Sequence, residues 1–143
     1  MNNRIPKEEL KQLAEQRLKE ANILFENEQY DGSIYLAGYV VELALKARIC
    51  KILDLDFYPP ENLPGFNIHD YDKLARLSGL EKTIEKQTVE NDKFNINWVK
   101  VSKWDSQMRY STVGEDNKKR AQDLLSALQE DEYGIFKWLK GKW

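Results

Sequence analysis

The sequence predicts an all-α fold, an up-and-down bundle of four or five helices. Apolar residues recur at helical spacing through residues 7–28, and residues 33–53 are apolar on nearly every side. We find no convincing pair of strands and no internal repeat. Because the chain has 143 residues, we expect residues 1–143 to form a single helical domain around one core.

The first two helices are predicted to form an antiparallel hairpin. Pro6 suits the first turn of the helix over residues 7–28. Asp31 and Gly32 then form a short turn, in which Asp31 is the expected N-cap of the next helix. A connection this short between two long helices favours antiparallel packing. The second helix is hydrophobic all round, so we expect it to be central and buried.

The next part of the chain predicts a loop and a short helix. Residues 54–67 contain three prolines and a glycine, which exclude regular helix and favour an extended loop. Asn67 is the expected cap of a short helix over residues 68–78, with Gly79 just beyond its end.

The rest of the chain predicts further helices separated by one loop. Residues 80–104 are expected to be helical in one or two pieces, with a weak point around residues 91–97. Residues 109–116 are expected to form a loop. A last helix is then predicted to begin near Glu115 and to bend at Gly134.

Composition restricts the classes of function. Charged residues make up 32% and the net charge is −2, which argues against a broad basic surface but leaves room for a small local anion site. We expect the one cysteine, Cys50, to be a buried thiol in a protein of a reducing compartment. No apolar run approaches the roughly 20 residues that span a bilayer, and no secretory signal begins the sequence. We therefore expect a cytoplasmic protein without membrane contact.

Four side chains form a polar stripe on the otherwise apolar second helix. At about 100° per residue, Tyr35, Tyr39, Glu42 and Lys46 fall on one face. Such a stripe indicates either a paired structural feature or the base of a ligand site. The sequence leaves both readings open.

His69 is the only histidine, so any imidazole chemistry depends on it. It can act as an acid or base near neutral pH, or it can bond to backbone or to a carboxylate in a structural role. One histidine and one cysteine supply too few soft ligands for a typical zinc site, so we expect no metal. Phosphate-binding glycine loops and the GxSxG and HExxH motifs are absent, and we expect no cofactor.

Arg109 and Tyr110 are the remaining candidate ligand-binding residues. Arginine binds phosphate in a bidentate manner, and a tyrosine can stack on a base. Alternatively, Arg109 closes an ion pair inside the bundle with Glu42 or Asp70. The sequence is compatible with both roles of Arg109, phosphate binding and an internal ion pair.

Three segments taken together resemble the HEPN family (higher eukaryotes and prokaryotes nucleotide-binding). They are YDGSIYLAGYVVELALKARI, HDYDKLARLSG after the proline-rich loop, and MRYS ahead of the last long helix. The resemblance covers about residues 10–130 and implies an up-and-down α-helical bundle. It also implies a homodimer, and either ribonuclease activity or partnership with a minimal nucleotidyltransferase in toxin–antitoxin or defence systems.

The chain departs from the ribonuclease hallmark of that family, an arginine followed four to six residues later by a histidine. Arg109 matches the arginine, but YSTVGED follows it. The resemblance therefore implies a module that binds nucleotide, RNA or a nucleotidyltransferase, with little or no catalysis. Two alternatives remain: a metal-independent ribonuclease using His69 and Arg109, and a helical adaptor for proteins. The implied ligand-binding positions are Tyr35, Tyr39, Glu42, Lys46, Asp70 and Tyr110.

Overall fold

The computed structural model describes residues 4–59, 65–66, 68–104 and 117–143. The helices of this part are α1 (Lys7–Glu26), α2 (Tyr30–Ile52), α3 (Tyr71–Leu77), α4 (Glu81–Glu90), α5 (Asp92–Ser102), α6 (Asn117–Gln129) and α7 (Ile135–Lys140). Five of them have ten or more residues, and α3 and α7 are shorter. The predicted all-α class is confirmed.

Within the described residues, a two-stranded antiparallel pair is a departure from helical structure that the sequence did not predict. Strand β1 (Ile5–Pro6) pairs with β2 (Phe57–Tyr58), with Ile5 opposite Tyr58. The backbone N–H of Lys7 extends the pairing by donating to the carbonyl of Asp56 at 2.9 Å. Two residues per strand are too few to produce the alternating pattern by which a strand is recognised.

The predicted hairpin of α1 and α2 is present, but its turn differs from the prediction. The connection is Asn27–Gln29, in which Glu28 adopts a left-handed φ of 60° and so reverses the chain within three residues. Helix α2 therefore starts at Tyr30, and Asp31 lies in its first turn rather than at the N-cap. Its carboxylate instead accepts a hydrogen bond from the Asn117 side chain at the start of α6.

Helix α2 is the central element of the bundle, as its apolar sequence predicted. It packs against α1, α3, α6 and α7. The buried apolar residues, from Leu10 on α1 to Leu139 on α7, form one core cluster around it. Within the described part of the chain, no helix has the length and apolar character needed to cross a membrane.

Two helix starts in the middle of the chain are set by side-chain caps. Helix α3 begins at Tyr71, later than predicted, because the Asp70 carboxylate accepts from the backbone N–H of Lys73 at 3.1 Å. The predicted cap Asn67 lies outside the described residues. The predicted weak point is a real break: Asn91 ends α4 and caps α5 by accepting from the N–H of Phe94 at 3.1 Å.

The final helices fold back onto the core. The predicted bend at Gly134 is a complete break between α6 and α7. A Cβ at Gly134 would lie 2.5 Å from the carbonyl oxygen of Glu130, so only glycine fits there. Beyond it, Trp138 packs on Phe94 and Trp143 packs on Phe136, with ring centroids 5.2 and 5.6 Å apart. These tryptophans are docked onto the bundle.

Candidate functional site

A buried carboxylate organises the polar stripe of α2. Glu42 is only 3% exposed, and its two oxygens have different partners. Oε2 lies 3.5 Å from Nζ of Lys46, one turn further along the helix. Oε1 accepts from Nδ1 of His69 at 2.8 Å. Glu42 thus links α2 to the segment that precedes α3.

The contact with Glu42 fixes how His69 presents its ring. A carboxylate oxygen only accepts, so Nδ1 carries a proton and, in the neutral imidazole, Nε2 keeps its lone pair. The His69 side chain is 46% exposed, whereas that of Glu42 is 4% exposed. Within the described residues, Nε2 has no hydrogen-bond partner. This arrangement gives a ligand an oriented imidazole nitrogen that can accept a hydrogen bond.

Lys46 is enclosed by an aromatic ring as well as by Glu42. Its Nζ lies 5.1 Å from the centroid of Tyr58, a distance at which the cation is attracted to the ring face. The Tyr58 hydroxyl donates to the carbonyl of Phe66 at 2.8 Å, and burial, with Cys50 and Glu42 nearby, raises the pKa of Tyr58. Burial also raises the pKa of the Cys50 thiol, which keeps it protonated and unreactive.

The other half of the stripe is an aromatic cluster. The rings of Tyr35 and Tyr39 meet edge to face at 5.1 Å, and Tyr39 meets Trp104 in the same way at 5.2 Å. Tyr35 and Tyr39 are partly buried. The structure therefore covers much of this half with Trp104, which stands just beyond the end of α5.

Trp104 lies directly on the backbone of α2. Its indole N–H donates to the carbonyl of Ile34 at 2.9 Å, and the ring covers Gly38, where a Cβ would come within 1.7 Å of it. Tyr71 stacks on the ring of Trp104, with ring centroids 5.7 Å apart, and donates its hydroxyl to the carbonyl of Gly38. Burial and the nearby Glu42 raise the pKa of Tyr71, so its hydroxyl stays protonated as a donor.

Two cavities meet at Trp104, and Lys103 and Trp104 line both. The His69 cavity is bordered by the start of α3 and the end of α5, and its lining includes His69, Asp70, Asp72 and Ser102. The Lys100 cavity lies between α5 and α6, and its lining includes Ile34, Lys100, Arg120 and Asp123. Because they share these two residues the cavities are adjacent, and we refer to the pair as the groove.

The structure brings together some of the residues that the sequence singled out. Glu42, Lys46 and His69 are in direct contact, and Asp70 lines the cavity beside them while capping α3. Arg109 and Tyr110 lie outside the described residues, so their position relative to His69 stays a prediction.

Sequence reasoning missed the basic side chains of the groove. Lys100 and Lys103 are three residues apart at the end of a helix, a detectable local signal. Arg120 reaches the same cavity from α6, and no local spacing links it to the two lysines. The described residues contain no cluster of three or more His, Cys, Asp or Glu side chains that could hold a metal ion.

Comparison with known families identifies a match over nearly the whole chain. The model described as HEPN domain matches residues 7–140. HEPN domains are nucleotide- and RNA-related modules that often dimerise. Comparison with curated proteins and with solved structures found no significant match. Because the family match extends over nearly the whole helical bundle described above, this chain belongs to the HEPN domain family.

Proposed function

We propose that this protein is a binding module for a nucleotide or RNA, with little or no catalysis of its own. The observation that carries the proposal is the half-exposed His69, held by the buried Glu42 and facing a cavity with acidic side chains. The hydroxyls and amino groups of a nucleoside are donors that an imidazole nitrogen and the carboxylates of Asp70 and Asp72 can accept. Membership of the HEPN family supports the same ligand class.

Binding can be tested directly by titrating the protein with ribonucleoside monophosphates and with a fluorescent octaribonucleotide. We expect His69→Ala and Asp72→Asn each to weaken binding by about tenfold, which corresponds to one lost hydrogen bond of about 1.4 kcal/mol. Asp92→Asn is the matched control, because Asp92 also lies in the first turn of a helix but does not line the groove. Equal effects of Asp72→Asn and Asp92→Asn would contradict the location of the site.

A metal-independent ribonuclease is the second candidate. The contact between Glu42 and His69 favours it, because a carboxylate that holds Nδ1–H leaves Nε2 available as a base toward a ribose 2′-hydroxyl. Arg109, the arginine implied by the family resemblance, would stabilise the phosphate charge. This candidate predicts RNA cleavage that persists in the presence of a chelator and depends on His69.

The two candidates are separated by cleavage assays with purified variants. RNA cleavage that His69→Ala and Arg109→Ala both abolish, while Arg76→Ala retains it, would replace the binding module with the enzyme. Arg76 is a suitable control because it is an exposed arginine paired with Glu81 at 2.9 Å. Absence of cleavage over a range of RNA substrates would leave the binding function as proposed.

The family resemblance supports three further proposals about the setting of the protein. We propose that it forms a homodimer, acts in the cytoplasm, and has a minimal nucleotidyltransferase as partner in a toxin–antitoxin or defence system. Light scattering should give twice the 16.8 kDa of one chain. Co-purification with the product of a neighbouring nucleotidyltransferase gene would support the partner. A monomer that captures no such partner would favour the adaptor alternative or a free binding module.

A further inference from the structure

We propose that the Lys100 cavity is the phosphate-binding half of the groove, and that the ligand is an RNA strand that occupies both cavities. This inference rests on the proposed binding function and deepens it. It assigns the two halves of the groove different parts of the same ligand. The phosphates lie between α5 and α6, and the nucleoside lies beside His69.

The positive charge of the Lys100 cavity comes from two helices. Lys100 and Lys103 are three residues apart, about one helical turn, and therefore share a face at the end of α5. Arg120 comes from the first two turns of α6 and is exposed. Among the described residues of the lining, Asp123 is the one acidic side chain, and three basic side chains accompany it. Such a surplus suits a phosphate group, which arginine can bind through two parallel hydrogen bonds.

The His69 cavity has the opposite balance of charge. Asp70 and Asp72 line it, and Lys103 at the shared boundary is its only lysine or arginine within the described residues. A phosphate is repelled by these carboxylates, whereas ribose hydroxyls and base amino groups donate to them. The charge difference across Trp104 therefore orients a nucleotide, with its sugar and base toward α3 and its phosphate toward α6.

The shared boundary also favours a strand over a single nucleotide. Lys103 and Trp104 belong to both cavities, and because Trp104 is buried, the exposed Lys103 is the shared side chain at which one ligand can reach both linings. An RNA strand alternates phosphates with nucleosides, so one strand can place a phosphate in the Lys100 cavity and a nucleoside in the His69 cavity. The chain as a whole has a net charge of −2, so the basic cavity is a local feature and not part of a broad basic surface.

The salt dependence of RNA binding provides the test. Each phosphate contact with a single strand contributes about 0.7 to the slope of log affinity against log salt concentration. We expect Lys103→Ala/Arg120→Ala to reduce the slope for an octaribonucleotide by about 1.4, from two lost contacts. The matched control is Lys118→Ala/Lys119→Ala. It removes the same charge from adjacent exposed positions that do not line the cavity. We expect it to change the slope by less than half as much.

A comparison of AMP with adenosine gives an independent readout. Wild-type protein should bind AMP more tightly than adenosine, and Arg120→Ala, which changes a residue of the Lys100 cavity alone, should reduce that difference while leaving adenosine binding within about twofold. Arg120 and Lys103 are both exposed, so circular dichroism should show unchanged folding of these variants. If wild-type protein binds neither RNA nor nucleotides, the proposed function itself fails. If RNA binds but both double variants have the same slope, only the phosphate assignment is overturned.

Discussion

The seating of Trp104 on Gly38 makes the substitution Gly38→Ala a sharp test of the structure. The new Cβ would lie 1.7 Å from the indole, so the ring must shift by roughly 2 Å to reach ordinary contact distance. The shift breaks the hydrogen bond to Ile34 and disturbs the stack with Tyr71, which are worth about 1 kcal/mol each. Overpacking adds about 1–3 kcal/mol, and the better helix propensity of alanine returns about 1 kcal/mol.

We therefore expect Gly38→Ala to lower the free energy of unfolding by about 2–4 kcal/mol, measured by urea denaturation. The decisive measurement repeats the substitution in a Trp104→Ala background. There the clash is gone, so Gly38→Ala should be neutral or stabilising by up to about 1 kcal/mol.

The control for this double-mutant comparison of Gly38 and Trp104 is Gly32→Ala, a substitution in the same helix. A Cβ at Gly32 would meet only the flexible end of Leu24, at 3.2 Å, so the cost should be small in both backgrounds. The reasoning is refuted if Gly38→Ala destabilises the protein equally with and without Trp104. That result would place the cost in the helix itself rather than in the contact with the ring.

Three further predictions concern the surroundings of the site. Glu42→Gln should lower stability by about 3–5 kcal/mol, because it leaves the buried Lys46 without a counter-ion, and urea denaturation measures this. The raised pKa values of Tyr58 and Tyr71 mean that above pH about 10 the unfolded state loses protons first. Stability should therefore fall with rising pH, by up to about 1.4 kcal/mol per pH unit per tyrosine, in urea titrations at pH 8–11. Asp70→Ala should remove the cap of α3 and cost about 1 kcal/mol.

Each of these predictions has its own control. Glu20→Gln breaks a half-buried pair with Arg17 on α1 and should cost no more than about 1 kcal/mol, so an equal effect at Glu42 would contradict its buried role. Replacing each tyrosine by phenylalanine should flatten the loss of stability above pH about 10, and an unchanged slope would assign it to other groups. Asp72→Ala leaves the cap intact, so it should affect the stability of α3 less than Asp70→Ala.

Much of the fold could be predicted because its signals are local. The all-round apolar character of residues 33–53 identified the central helix, and the weak point expected around residues 91–97 contains the break between α4 and α5. Asp31 was misassigned as a cap because a left-handed residue at Glu28 reverses the chain earlier, and no residue type there signals that conformation. The two-residue strands were missed because they depend on a contact between distant segments.

The site was predictable only in part for the same reason. Helical spacing placed Glu42 and Lys46 on one face, and a carboxylate partner was one of the roles considered for His69. The pairing of His69 with Glu42 needs the return of the chain across 27 residues, which spacing does not reveal. The meeting of Lys103 with Arg120 in one cavity depends on the packing of α5 against α6.

The central position of α2 has a consequence for how the molecule opens. Since α1, α3, α6 and α7 all rest on this helix, its amide protons should exchange with solvent only when the whole bundle unfolds. Helix α4 buries only Ile84 and packs on its neighbours α3 and α5, so it can open locally without disturbing the rest. Glu42 and Lys46 therefore belong to the slowest-exchanging part of the protein, so the carboxylate that orients His69 stays in place while the periphery fluctuates.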